Sequence, residues 1–280
     1  MIWDCFTFFN EFEVLRIRLH ELENVVDRFV LVEATRTHRG AGKPPYFADR
    51  KSEFEMWADR IVHVVVEDLP VGEGSTAWDR ENAQRRAILR GLTNAAPADL
   101  VLVSDVDEIP RAAAVTDLVG QAARAPRAFA DPESFLRRAV PERWRPRPAI
   151  WELHQTLYYF TLDWRAPIPW TRSRATTRRF LADPQALRFM RGRVIPNAGW
   201  HFSYLGDAER AATKISAFAH DEYDRPEFTG HHHLERCIAL GLDPFGRFDL
   251  EEVPIDSSFP EWVRLNLPAL HHLTRAGARR

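Results

Sequence analysis

The stretch that decides the fold is Leu100-Val101-Leu102-Val103-Ser104-Asp105-Val106-Asp107-Glu108-Ile109-Pro110-Arg111. Its four leading apolar residues predict a short buried strand. The strand runs into three carboxylates within four residues, and Pro110 is expected to end ladder pairing. Like charges this close repel unless they are solvated or a cation neutralises them. At the carboxyl end of a buried strand, where α/β sheets keep their ligand crevices, a divalent cation is a fitting neutraliser. Taken alone, the stretch also reads as an acidic turn that merely caps a strand.

Working outward towards the N-terminus, Ile2 to Phe8, Arg28 to Glu33 and Ile61 to Val66 read as further strands. Between them, Asn10 with Glu13 and Ser52 with Glu55 have capping-box spacing for two helices. Asp79 to Arg90 reads as a polar-faced helix stopped by Gly91. Strands alternating with helices predict an α/β fold, a mostly parallel sheet flanked by helices. Glu33, Glu67 and Asp105 all fall at strand ends, so a parallel sheet would bring them to one edge. No P-loop and no G-x-G-x-x-G follows the first strand, which removes the main support for ATPase and dinucleotide-dehydrogenase readings.

Beyond Arg111 the pattern is less regular. Ala112 to Ala123 predicts a helix, and 124–148 carries five prolines, a surface excursion. Ala149 to Trp164 and Thr171 to Arg179 read as strand material, the second placing Arg172, Arg174 and Arg178 on one face for phosphate or for solvent. Ala198 to Gly206 places His201 among aromatics in a strand, and Asp207 caps a helix carrying Glu209 and Lys214 to about Phe218. His231 opens a last long helix that ends near Gly241.

The chain has 280 residues, 45% hydrophobic and 28% charged, the balance of a globular protein with room for one large domain. A net charge of -2 argues against a general affinity for nucleic acid or anionic membrane. Cys5 and Cys237 give no disulfide framework, which points to a reducing compartment. The first residues carry Asp4 where a signal peptide wants positive charge, and no apolar run approaches a bilayer span. A cytoplasmic protein without an integral membrane segment is expected.

Three blocks then resemble glycosyltransferase family 17. They are Asp4-Cys5-Phe6 with Asn10-Glu11-Phe12-Glu13, Arg18, Glu21-Leu22 and Val26 to Glu33; Ser104 to Pro110; and Gly199-Trp200-His201 with Ser203, Glu209 and Lys214. The resemblance covers roughly residues 3 to 220 and implies a GT-A-like Rossmann-type fold over one domain. It makes 1–111 the nucleotide-sugar half and 112–280 a less regular acceptor half. It also implies a UDP-sugar donor (UDP-N-acetylglucosamine), a glycan or other hydroxyl acceptor, and inversion at the anomeric carbon. Under that reading Asp105, Asp107 and His201 hold Mn²⁺ or Mg²⁺. Glu33, Asp105, Lys214, Arg172 and Arg174 serve the nucleotide and phosphates. Glu209, Asp163 and Glu222 are candidate bases, with Glu108 in reserve. Trp151, Trp164 and Trp170 are candidate acceptor platforms. Two other classes fit clustered carboxylates or many aromatics: a metal-dependent phosphohydrolase or nucleotidyltransferase, and a noncatalytic carbohydrate-binding protein.

Overall fold

A computed structural model describes residues 1–124, 149–219 and 223–278. The proline-rich 125–148 and the candidate base Glu222 lie outside the described residues. Strands β1 (Ile2–Phe8), β2 (Arg28–Ala34), β3 (Ile61–Val66) and β4 (Leu100–Asp105) pair in parallel in the order β3-β2-β1-β4. Both faces of β1, β2 and β4 are buried, which is why they read as near-continuous apolar runs, while the edge strand β3 is mostly half-buried. Phe6, Phe8, Leu31 and Leu102 pack on one side with helices α1 (Phe12–Leu22) and α3 (Ala112–Arg124). Cys5, Val30, Val32 and Val103 pack on the other with Ala87, Ile88 and Leu92, which follow helix α2 (Ala77–Arg86).

The second half extends the same sheet with antiparallel and mixed pairing. Strand β5 (Glu108–Pro110) is followed by β6 (Ile150–Tyr159), β7 (Trp164–Thr177), the short β8 (Arg193–Ile195) and β9 (Gly199–Ser203), with β10 (Glu251–Glu252) on β7. Helix α4 (Ala208–Ala217) follows β9, and α5 (His231–Leu240) ends on the left-handed Gly241. The path runs β4-β7-β6-β9-β5. A turn at Val106 and Asp107 is all that separates β4 from β5 in sequence, yet they occupy different places on that path. The sheet therefore curls, and its β5 end returns to the end of the interior strand β4 at the acidic turn. The α/β class, mostly parallel and helix-flanked, is as the alternation of elements predicts.

Several local expectations differ. Pro110 does not end pairing: Glu108 to Pro110 pair with His201 to Gly199. Asn10 does not cap α1; Glu11 precedes the helix and accepts from the amides of Phe9 and Asn10, while Glu13 pairs with Arg210. Ser52 does not open a long helix, since Lys51–Trp57 is a kinked 3-10 segment without a side-chain cap. The capping box that does form is Thr76 with Asp79, at the start of α2.

Candidate active site

A cleft of about 440 Å³ opens where β5 returns to β4, at the carboxyl ends of β1 and β4. Its floor is the acidic turn. Asp105 accepts from Thr7 Oγ1 and Arg85 Nη2, both at 2.7 Å, and from Arg188 Nη2 at 3.0 Å. Asp107 Oδ2 lies 2.7 Å from Lys214 Nζ and 3.3 Å from His201 Nε2. The turn frees the two aspartates from strand alternation, so both reach the cleft although they are two residues apart. Glu108 is fully buried behind them. It receives Arg188 on both oxygens at 2.7 Å, Trp170 Nε1 at 2.6 Å, Ser173 Oγ at 2.9 Å and the amide of Asp105 at 3.0 Å.

Every carboxylate of the turn thus has a cationic partner. Burial alone would raise the Asp105 carboxyl, but Arg188 and Arg85 hold it well below the usual range. Burial works against ionisation of Asp107 too, and Lys214 with His201 outweighs it, again holding that carboxyl low. Lys214 is desolvated, yet Asp107 and Glu11, the latter at 2.8 Å, push its ammonium above the ordinary lysine range. Among the described residues, seven Lys and Arg residues line the cleft against four carboxylates, Glu11, Glu81, Asp105 and Asp107. The excess is positive, in a chain whose net charge is -2.

Residues 1–128 match the sequence profile of glycosyltransferase family 17. Among relatives, human β-1,4-mannosyl-glycoprotein 4-β-N-acetylglucosaminyltransferase is 31% identical over 107 residues, 36% of this chain and 20% of the relative. The rat enzyme of the same name is 31% identical over the same shares, and the mouse enzyme 30%. The chain therefore matches one fifth of the length of these relatives. The matched segment runs through α3 and ends at residue 128, so it contains the acidic turn but neither His201, Lys214 nor Arg188.

The structure brings Asp105, Asp107, His201, Lys214 and Arg172 to the cleft. Glu33 stands behind it, fully buried, accepting from the amide of Phe47 at 3.0 Å and facing His63 Nε2 at 3.1 Å. Of the other two strand-end acids, Asp105 lines the cleft and Glu67 does not. Arg174 is spent on the carbonyls of Met190, Thr171 and Ser173 and on Glu152, away from the lining. Glu209 is exposed in the first turn of α4 and does not line the cleft. Five residues separate it from Lys214, which at 100° per residue puts the two well apart around the helix. Asp163 accepts from the amide of Arg275 at 2.9 Å, capping the short helix Arg275–Ala278. Glu108 is held by so many donors that it is structural. Trp151 and Trp164 are buried, their indole N–H groups bonded to Gln121 and the Ile238 carbonyl. Trp170 does line the cleft, its ring 4.5 Å from that of His201.

Among the described residues, no group of three or more His, Cys, Asp or Glu is arranged to hold a metal. Asp107 and His201 nevertheless stand side by side, and His201 Nδ1 is buried without a hydrogen-bond partner. One carboxylate and one imidazole suit a Mn²⁺ or Mg²⁺ that takes its remaining ligands from substrate phosphates and water. Asp105 fits less well, because its oxygens already accept from three donors. Sequence reasoning missed Arg85, Arg188 and Glu11. The two arginines carry no local signal, and Glu11 is visible only as part of the family block.

Proposed function

We propose that this chain is an inverting glycosyltransferase that moves N-acetylglucosamine from UDP-N-acetylglucosamine to a hydroxyl of a glycan. The observation that carries the reading is a cleft with surplus positive charge at the end of a parallel sheet, floored by the acidic turn of the family 17 segment. A diphosphate leaving group needs its developing negative charge neutralised as the glycosidic bond breaks. A bound Mn²⁺ or Mg²⁺, held by Asp107 and His201, would supply part of that charge. Lys214 and Arg172 offer ammonium and guanidinium groups to the phosphate oxygens from the cleft wall. Arg188 and Arg85 keep Asp105 ionised and fixed for hydrogen bonding to the nucleotide.

Inversion also needs a base for the acceptor hydroxyl. Glu209 and Asp163 do not line the cleft. Glu81 does line it, and Glu222 lies in sequence between Phe218 and Tyr223, which both line it. The deciding experiment incubates the protein with UDP-N-acetylglucosamine and Mn²⁺ and analyses the nucleotide released. Intact UDP is expected; sugar 1-phosphate, with UMP free or transferred, would mean a phosphohydrolase or nucleotidyltransferase. Binding of glycan with no effect of UDP or metal would mean a carbohydrate-binding protein. Comparing Glu81→Gln with Glu222→Gln across pH then identifies the base by loss of the basic group from the rate profile.

A further inference from the structure

Among the described residues, Arg18 is the largest charged side chain with no exposure at all, and it does not line the cleft. It rises from α1 beneath the acidic turn. Its Nη1 faces three backbone carbonyls, Asp105 O at 2.8 Å, Val106 O at 3.2 Å and Glu108 O at 3.0 Å. Its Nη2 donates to Ser104 Oγ at 2.6 Å and Asp4 Oδ1 at 2.6 Å, and its Nε to Asp4 Oδ2 at 2.7 Å. The guanidinium plane also lies 4.4 Å from the Phe6 ring centroid.

Three carbonyls converging on one point repel, and each would be a buried acceptor without a donor. A chain leaving a parallel strand and reversing within two residues has no ladder to satisfy them. A planar fork with five N–H groups can reach all three while returning its charge to Asp4; a lysine ammonium cannot span them. We infer that Arg18 is the positioning residue of the site: from beneath, it fixes the backbone of the Asp105–Glu108 turn so that Asp105 and Asp107 both present to the cleft. Asp4 balances the charge of Arg18 but touches no part of the turn. This inference rests on the proposed transfer reaction for its kinetic readout only.

The test compares Arg18→Lys with Asp4→Asn, using UDP-N-acetylglucosamine hydrolysis with Mn²⁺, thermal unfolding and the indole ¹H–¹⁵N resonance of Trp170. That indole donates to Glu108 and so reports the turn. Arg18→Lys should lower kcat about 100-fold with the donor KM little changed, and should move the Trp170 resonance. Asp4→Asn should lower the melting temperature yet keep kcat within a few fold and the resonance in place. Full kcat in a folded Arg18→Lys would overturn the inference. So would a folded Asp4→Asn whose kcat falls about 100-fold, and this arm serves if the lysine variant does not fold. If the unmodified protein turns over no donor, the transferase reading fails, while the Trp170 resonance still decides whether Arg18 holds the turn.

Discussion

His201 Nε2 lies 3.3 Å from Asp107 Oδ2 because Glu108 and His201 are register partners across β5 and β9. The amide of Phe202 donates to the carbonyl of Asp107 at 2.9 Å and closes the same junction. Two segments more than 90 residues apart are thereby locked by backbone pairing rather than by side chains alone. A pair held in this way is preorganised, and its sensitivity to backbone changes follows.

Asp107→Asn keeps the size of the side chain and removes its charge. Turnover of the UDP-sugar is expected to fall by about 10²–10³, measured as UDP release at saturating donor and Mn²⁺. Undiminished metal-dependent turnover would remove Asp107 from the mechanism.

Lys214→Met leaves Asp107 and Glu11 facing each other in a buried site without their shared cation. Breaking a buried pair by removing one partner destabilises by about 3–5 kcal/mol, readable in urea unfolding. The donor KM should also rise, since the cleft loses one of its positive charges.

Gly199 has φ +150°, and a Cβ there would stand 2.0 Å from the Ile109 carbonyl. Gly199→Ala must open the β5–β9 pairing at Pro110. Backbone strain alone should lower stability by about 1–3 kcal/mol, and activity should fall with it as His201 leaves Asp107. A variant with unchanged melting temperature would contradict this packing.

Stability should form a plateau in pH with defined edges. Asp105 and Asp107 have carboxyls held low in the fold, so their contribution is present above the unfolded carboxylate pKa of about 3.9 and is lost as pH falls below it. Lys214 is raised, so its contribution is complete below the unfolded lysine pKa of about 10.4 and declines above it. Burial lowers His38 despite Glu81 and Gln84, so protonation of the unfolded chain below about pH 6.5 works against folding. Calorimetry from pH 3 to 11 should show this, and His38→Gln should flatten the curve between pH 5 and 7.

The sequence determined the elements and the identity of the acidic turn. Period and composition located β1 to β4, and for β1, β2 and β4 the reason is that strands buried on both faces need unbroken apolar runs. Asp207 and Gly241 marked the start of α4 and the end of α5, because caps are local chemistry. The same local logic failed at Asn10 and Ser52, where spacing matched a capping box; at the first, a tertiary contact claims the acidic residue, since Glu13 pairs with Arg210, 197 residues away. Only the tertiary structure decided which charges meet. Arg188 and Arg85 reach Asp105 across 83 and 20 residues, and Lys214 reaches Asp107 across 107. It also withdrew Glu33, Glu209 and Asp163 from the cleft. A carboxylate at a strand end or helix start looks the same in sequence whether it faces a ligand or a backbone amide. The curl that closes β9 onto β5 is a long-range pairing, and it is what turns an acidic strand end into a site.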